Sequence, residues 1–300
     1  MRLLIIGAGG FLGQHAWQRA RAAGAEVVTA GRSALPGSPR HQRIDLAGED
    51  PARVAAMLAG LAPDAVVNCA GATAGDPDVL AAANINGTYT LVTAMLLAGL
   101  PARLVHLGSA AEYGPTEPGV PITERTPPRP GGIYGATKLA GTRLVELAAA
   151  AGLDAVVLRV FNPVGPGAPR TSLPGRLAAE LHRARAHGTE VRVGSLDTVR
   201  DFVDVRDVAD AVFAAVTAPA LPHPVLNIGS GRWAPVRMMV KELVAASGIT
   251  GTVHEDMPGP ARSADIPWQQ ADITRAVGDL AWRPHRGLAV SLTDLWEASS

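Results

Sequence analysis

Tyr134 and Lys138 stand four residues apart in a chain with only three tyrosines and two lysines. On a helix, residues i and i+4 share one face, so the ammonium can lower the phenol's pKa and suit the pair to general acid/base work. Upstream, Leu104-Val105-His106-Leu107-Gly108-Ser109 reads as a buried strand ending in a hydroxyl. Such an ending lies at the carboxyl edge of a parallel sheet, where ligands bind, and Ser109 there could hold a carbonyl or hydroxyl oxygen. Taken alone, Ser109 would be a helix cap or turn residue.

A third element of chemistry opens the chain. Gly7, Gly10 and Gly13 are spaced G-x-x-G-x-x-G between a short apolar run, residues 2–6, and an apolar-periodic stretch that ends near Gly24. Strand, glycine turn and helix in that order let a pyrophosphate meet backbone N–H groups at a helix N-terminus. The glycines permit a tight turn, close phosphate approach and helix–strand packing. A dinucleotide site follows, with Lys138 placed to hold its ribose. In NAD sites an acidic residue about 20 positions on holds the adenosine ribose hydroxyls. Here that place reads Ala30-Gly31-Arg32-Ser33. Without a carboxylate, Arg32 and Ser33 can bind a 2′-phosphate, which favours NADP(H) over NAD(H). Read singly, Arg32 is a solvated loop arginine.

These groups need a scaffold, and the chain supplies its pattern. Apolar β-prone runs recur at 26–30, 65–70, 103–107 and 155–160, with helix-like segments at 51–60, 79–98 and 135–151 between them. This alternation predicts an α/β, Rossmann-type, doubly wound parallel sheet. After Asn162 it loosens into a Gly/Pro stretch and a basic amphipathic helix around 175–187, and residues 203–218 and 225–228 read as a return to the sheet. The expected division is a dinucleotide-binding domain of 1–165 plus 196–230 and a smaller, discontinuous α/β substrate lobe of 166–195 plus 231–300.

Composition excludes other classes. Of the 300 residues, 47% are hydrophobic and 18% charged, a globular balance. Lys+Arg and Asp+Glu number 27 each, so no net field draws nucleic acid or an anionic membrane. The lone Cys69 and eight histidines show no zinc spacing, so no metal is expected and a reducing cytoplasm fits. The N-terminal apolar run is too short for a signal segment, and no unbroken run reaches about 18 apolar residues.

Seven motifs together carry a family resemblance: Gly7-x-x-Gly10-Phe11-Leu12-Gly13, Asn84-x-x-Gly87-Thr88, Ser109-Ala-Ala-Glu112-Tyr113-Gly114, Tyr134-Gly-Ala-Thr-Lys138, Arg159-x-x-Asn162, Arg200-Asp-Phe-Val-Asp204-Val-Arg-Asp207-Val and Asn227-Ile-Gly-Ser-Gly231. The chain resembles the extended short-chain dehydrogenase/reductases, in their nucleotide-sugar epimerase/dehydratase branch. The resemblance implies that Tyr134 exchanges a proton with a sugar oxygen, Ser109 assists, and Lys138 binds the cofactor ribose. It further places Asp45 and Leu46 by the adenine, and Ala70, Gly71 and Asn84 along the cofactor. Phe161 and Asn162 come between cofactor and sugar. Arg200 and Arg262 match positions that hold the nucleotide diphosphate.

The same resemblance narrows the reaction. Dehydratases of this kind carry an acidic residue one or two positions after the active-site hydroxyl, where this chain has Ala110 and Ala111. Elimination then lacks a proton carrier. Gly194-Ser-Leu196, Arg262-Ser-Ala-Asp265-Ile-Pro267 and Glu112 before Tyr113 are most similar to the GDP-4-keto-6-deoxymannose reductases. The expectation is NADPH-dependent reduction of the C4 ketone of a nucleotide-activated 4-keto-6-deoxyhexose, with Glu112 among the sugar contacts. The base is left open among GDP, dTDP and UDP. The alternatives are an NAD-retaining 4-epimerase, a dehydrogenase of a non-sugar alcohol, and a non-catalytic NADP(H)-binding regulator. Helices at 79–98 and 135–151 are expected to pair with their symmetry mates as a four-helix bundle in a homodimer.

Overall fold

Seven parallel strands form the central sheet: β1 (Arg2–Ile6), β2 (Glu26–Gly31), β3 (His41–Arg43), β4 (Ala65–Asn68), β5 (Arg103–Ser109), β6 (Ala155–Val160) and, after four two- or three-residue strands, β11 (Val225–Ile228). The structure, a computed structural model, describes residues 1–249, 253–256 and 266–299. Their order is β11-β6-β5-β4-β1-β2-β3. Strands β4, β6 and β11 are buried along their whole length, as continuous apolar runs in a two-sided sheet require. The order reverses between β1 and β4, so a crevice opens at their carboxyl ends.

Helices cover both faces: α1 (Phe11–Ala22), α2 (Pro51–Leu61), α3 (Pro77–Ala81) running through a π-helical turn at Ala82–Asn86 into α4 (Gly87–Ala98), and α5 (Ile133–Ala150). Local chemistry sets their limits. Asp50 caps α2 by accepting the Ala52 N–H, with Pro51 in the first turn, and Gly99 closes α4 with φ +58°. Among the described residues, only the helical stretch 77–98 is long and apolar enough to cross a membrane, and half of it is buried inside the fold.

The remaining elements are α6 (Leu173–His187), β7 (Pro163–Val164), β8 (Val191–Val193), β9 (Val199–Arg200), β10 (Val203–Asp204), α7 (Val205–Thr217), β12 (Ala234–Pro235), α8 (Val236–Ser247), β13 (Val253–Glu255), α9 (Thr274–Leu280) and α10 (Leu288–Ala298). Helices α6, α8 and α10 share one apolar core with β8, centred on Leu181, Met239, Leu243 and Leu292. This is a third apolar core, separate from the two that flank the sheet. Ala276, Leu280 and Trp282 pack into the sheet-side core with α7, while Leu196 and Phe202 belong to the third core. The chain's end thus crosses back onto the sheet before α10 returns to the third core.

Candidate active site

At the carboxyl end of β1 the chain turns at Gly7, whose φ of +77° favours glycine. A Cβ there would lie 2.6 Å from the Ala70 nitrogen, and one on Gly13 would lie 2.2 Å from the Gly7 oxygen. No side chain caps α1, because its N-cap is Gly10. The first-turn N–H groups are therefore directed at the crevice, with the helix dipole behind them. A glycine turn packed this tightly against its own backbone, with uncapped donors at the helix start, fits a dinucleotide. The Gly7 N–H donates to the Ala30 carbonyl at 2.8 Å, bringing the end of β2 beside this turn. Gly31 thus adjoins it, with Arg32 and Ser33 exposed next along the chain.

On the other side of the crevice, Asn84 is buried within the π-helical turn. Its carboxamide accepts from the Ala72 N–H at 3.0 Å and donates to the Ala72 carbonyl at 2.9 Å and to Thr137 Oγ1 at 3.0 Å. Asn84 thereby ties the loop after β4, which carries Ala70 and Gly71, to helix α5. Asp45 is exposed, and buried Leu46 backs the helix at Gly87.

Helix α5 brings Tyr134 and Lys138 to β5. Gly135 lies so close to the turn after β5 that a Cβ would sit 2.4 Å from the Ala111 carbonyl oxygen. The first turn of α5, with Tyr134, is therefore seated on the turn that begins at Ser109. One turn on, Lys138 is only 6% exposed, and its Nζ donates to the Leu107 carbonyl at 2.6 Å. Burial lowers its pKa from the ordinary ammonium range, opposed by Glu112 and Cys69. The Cys69 thiol is itself pushed up to about 12 by burial.

Ser109 caps a single 3-10 turn, Ala110–Glu112. Its hydroxyl oxygen accepts from the Ala111 N–H at 3.2 Å, while its own N–H donates to Glu112 Oε1 at 2.8 Å. Because the cap uses Ser109 Oγ as an acceptor, the hydroxyl proton remains a donor for a ligand oxygen. The cap is compatible with the role expected of Ser109.

A model of the NAD dependent epimerase/dehydratase family matches residues 3–229. The chain belongs to this family. It is 39% identical to a dTDP-6-deoxy-L-talose 4-dehydrogenase (NAD(P)(+)) of Kitasatospora kifunensis, a match covering 100% of this chain and 96% of the relative. It is 31% identical to a UDP-glucose 4-epimerase of Streptomyces lividans (99% and 95% covered) and 27% identical to a GDP-6-deoxy-D-mannose reductase of Pseudomonas aeruginosa (99% and 97%). Among solved structures, MoeE5 in complex with UDP-glucose and NAD superposes with a TM-score of 0.86 at 29% identity, covering 100% of this chain and 98% of that one. The chain is an NAD(P)-dependent enzyme of the epimerase/dehydratase family, built on its Rossmann-like fold.

Within that family frame, two expected ligand contacts are corrected. Glu112 is fully buried, and its Oε2 accepts from Arg159 Nε at 2.7 Å beneath the site. It braces Ser109 rather than touching a sugar, because the 3-10 turn aims its side chain under β5. Phe161, also fully buried, packs with Tyr113, Ile122 and Ala271, its ring tilted on that of Tyr113 at 6.2 Å between centroids. It is a core residue, not a wall of the crevice. Asn162 is half-buried and donates to the Asp201 carbonyl at 3.0 Å. Arg200 is buried on β9, and burial lowers its guanidinium to about 10. Arg262 lies outside the described residues.

Three participants escaped the sequence reading. His106 on β5 accepts from the Asn68 carboxamide at 3.1 Å, and burial, then Lys138, holds its pKa well below 6.5. Asp201 accepts from the Ser230 N–H and hydroxyl and from the N–H groups of Gly231 and Ala271, although burial pushes it up to about 6. Gln269 reaches Asn162 and the Ala110 carbonyl. The acid sits in a motif singled out for Arg200, and Gln269 lies in none of the quoted motifs.

Proposed function

We propose that this chain reduces the C4 ketone of a dTDP-linked 4-keto-6-deoxyhexose with NADPH, Tyr134 giving the proton to the new hydroxyl oxygen. The observation that supports the chemistry is the seating of α5 on the Ser109 turn through Gly135, which brings the chain at Tyr134 up to the turn that begins at Ser109. The sugar class and dTDP are supported by the 39% identity, over the whole chain, to an enzyme named for dTDP-6-deoxy-L-talose. Gly7, Gly10, Phe11, Leu12 and Gly13 would hold the pyrophosphate, Lys138 the ribose, and Arg32 with Ser33 the 2′-phosphate. When bound, the nicotinamide supplies the hydride.

The chain's own residues do the rest. The Ser109 hydroxyl would hydrogen-bond to the ketone oxygen and hold it toward Tyr134, keeping its own proton. The Lys138 ammonium favours the phenolate left after proton transfer. Elimination of water is disfavoured, since positions 110 and 111 are alanines and the nearby carboxylate, Glu112, is sealed in a buried ion pair. A 4-epimerase, which returns hydride to the opposite face, is the second reading, and the 31% identity to a UDP-glucose 4-epimerase supports it. Two copies of the chain pair through α4 and α5.

The test mixes purified protein and NADPH with GDP-, dTDP- and UDP-4-keto-6-deoxyhexoses and follows NADPH absorbance. Loss with the dTDP sugar, slowed about 10²- to 10⁴-fold in Tyr134→Phe, is expected. Interconversion of C4 epimers on retained NAD, without net NADPH consumption, would establish the epimerase instead.

A further inference from the structure

Strand β9 is flanked by two short partners that place one polar side chain between the lobes. Trp268 forms a parallel bridge with Val199, and the Gln269 N–H donates to the Val199 carbonyl at 3.0 Å. Because side chains alternate along extended backbone, Gln269 and Arg200 share the face opposite Val199 and Trp268. From that face Gln269 Nε2 donates to the Ala110 carbonyl at 3.3 Å, and its Oε1 accepts from Asn162 Nδ2 at 3.5 Å. Asn162 Nδ2 is anchored on its other side by the Asp201 carbonyl. Gln269 is itself 4% exposed.

We propose that Gln269 is a positioning residue that fixes the Ser109 turn and Asn162 relative to each other, so that the sugar's reacting carbon is held at Tyr134. This rests on the functional reading above. The chemistry needs a neutral carboxamide of this length, since one end must donate to a carbonyl and the other accept from an amide. A carboxylate would set a negative oxygen against the Ala110 carbonyl, and an apolar side chain would leave that carbonyl and the Asn162 amide without their tie. The Ala110 carbonyl also accepts from the Tyr113 N–H at 3.1 Å, so the tie bears on the whole catalytic turn.

The test compares Gln269→Leu and Gln269→Glu with wild type in steady-state reduction, NADPH binding and amide hydrogen exchange at residues 109–113. Gln269→Leu should lower kcat by about 10²-fold, the order of loss that follows a misplaced reacting centre, with KM for NADPH unchanged. Exchange at 109–113 should rise. Gln269→Glu should be impaired at neutral pH and regain activity relative to wild type as pH falls, because a protonated carboxyl can again donate to Ala110. Unchanged kcat in Gln269→Leu overturns the proposal, as does lower kcat with unchanged exchange. Should Gln269→Leu fail to fold, the Gln269→Glu profile decides, and a profile parallel to wild type overturns it. Absence of turnover by wild type with every nucleotide sugar counts against the functional reading, and the exchange comparison then judges the tie independently.

Discussion

Glu112 and Lys138 are both ionisable groups removed from water, and the structure gives them opposite tasks. Lys138 donates to the Leu107 carbonyl at the end of β5, whereas Glu112 is closed between the Ser109 N–H and Arg159, whose guanidinium also lies 4.7 Å from the Tyr113 ring centroid. Removing one partner of a buried pair strands the other charge, at about 3–5 kcal/mol, while replacing both with apolar side chains is often neutral. Glu112→Ala should therefore lower unfolding free energy by about that amount. The Glu112→Leu/Arg159→Met double variant should recover most of it. Denaturant titration checks both; a stable Glu112→Ala with a selective rise in sugar KM would restore Glu112 as a ligand. The glycine turn and the Tyr134/Lys138 pair were legible because backbone sterics and helical spacing dictate those residues locally. Glu112 and Phe161 were misjudged because nearness in sequence to Ser109 and Asn162 does not say which way a 3-10 turn or a strand end points its side chains.

Among the elements, β5 and α5 form the unit on which the proposed site depends, and His106 is a buried titratable group inside it. Its folded pKa is depressed while the unfolded chain retains the ordinary value near 6.5, so below that pH the unfolded state takes up a proton that the fold refuses. Unfolding is then favoured by acid, and stability falls by up to about 1.4 kcal/mol per pH unit below 6.5. His15, whose pKa is lowered chiefly by burial, adds to the same trend in wild type. His106→Gln keeps a polar partner for Asn68 but does not titrate. Its unfolding free energy should decline less steeply than wild type's between pH 6.5 and 5, and equal slopes would show that His106 is charged in the fold. Gly135→Ala probes the same unit sterically. With 2.4 Å between the new Cβ and the Ala111 oxygen, α5 must shift from the Ser109 turn, and kcat should collapse with a rise in KM for NADPH, because Lys138 moves with the same helix. The buried strands were legible as apolar runs. β3, with His41-Gln42-Arg43, was not, because an edge strand need not be apolar.

At the scale of the whole molecule, the acidic residues of the 200–207 motif hold the parts together. Asp201 gathers the 229–231 loop and Ala271. Asp204 caps α7 and accepts from Ser291 of α10, and Asp207 takes the Trp282–Arg286 return through the backbone N–H groups of His285 and Arg286. A motif read for its arginine is therefore also the seam between sheet and lobe, a role invisible in sequence because its partners lie about 30 to 90 residues away. The outer surface shows one further concentration. Val79, Tyr89, Leu96, Leu97, Ile133 and Leu147 are all exposed, and all lie on the α3–α4 stretch or α5. These helices pack on each other with their inner faces in the sheet core, so their outer apolar side chains are what a symmetry-related copy would cover, the isologous arrangement proposed for the dimer. A Leu97→Asp/Leu147→Asp variant places like charges on both copies at that contact. Sedimentation should then give a dimeric mass for wild type and a monomeric one for the variant, with NADPH binding retained because neither residue belongs to the cradle. A wild-type monomer at assay concentration would show that the two stripes serve each chain alone.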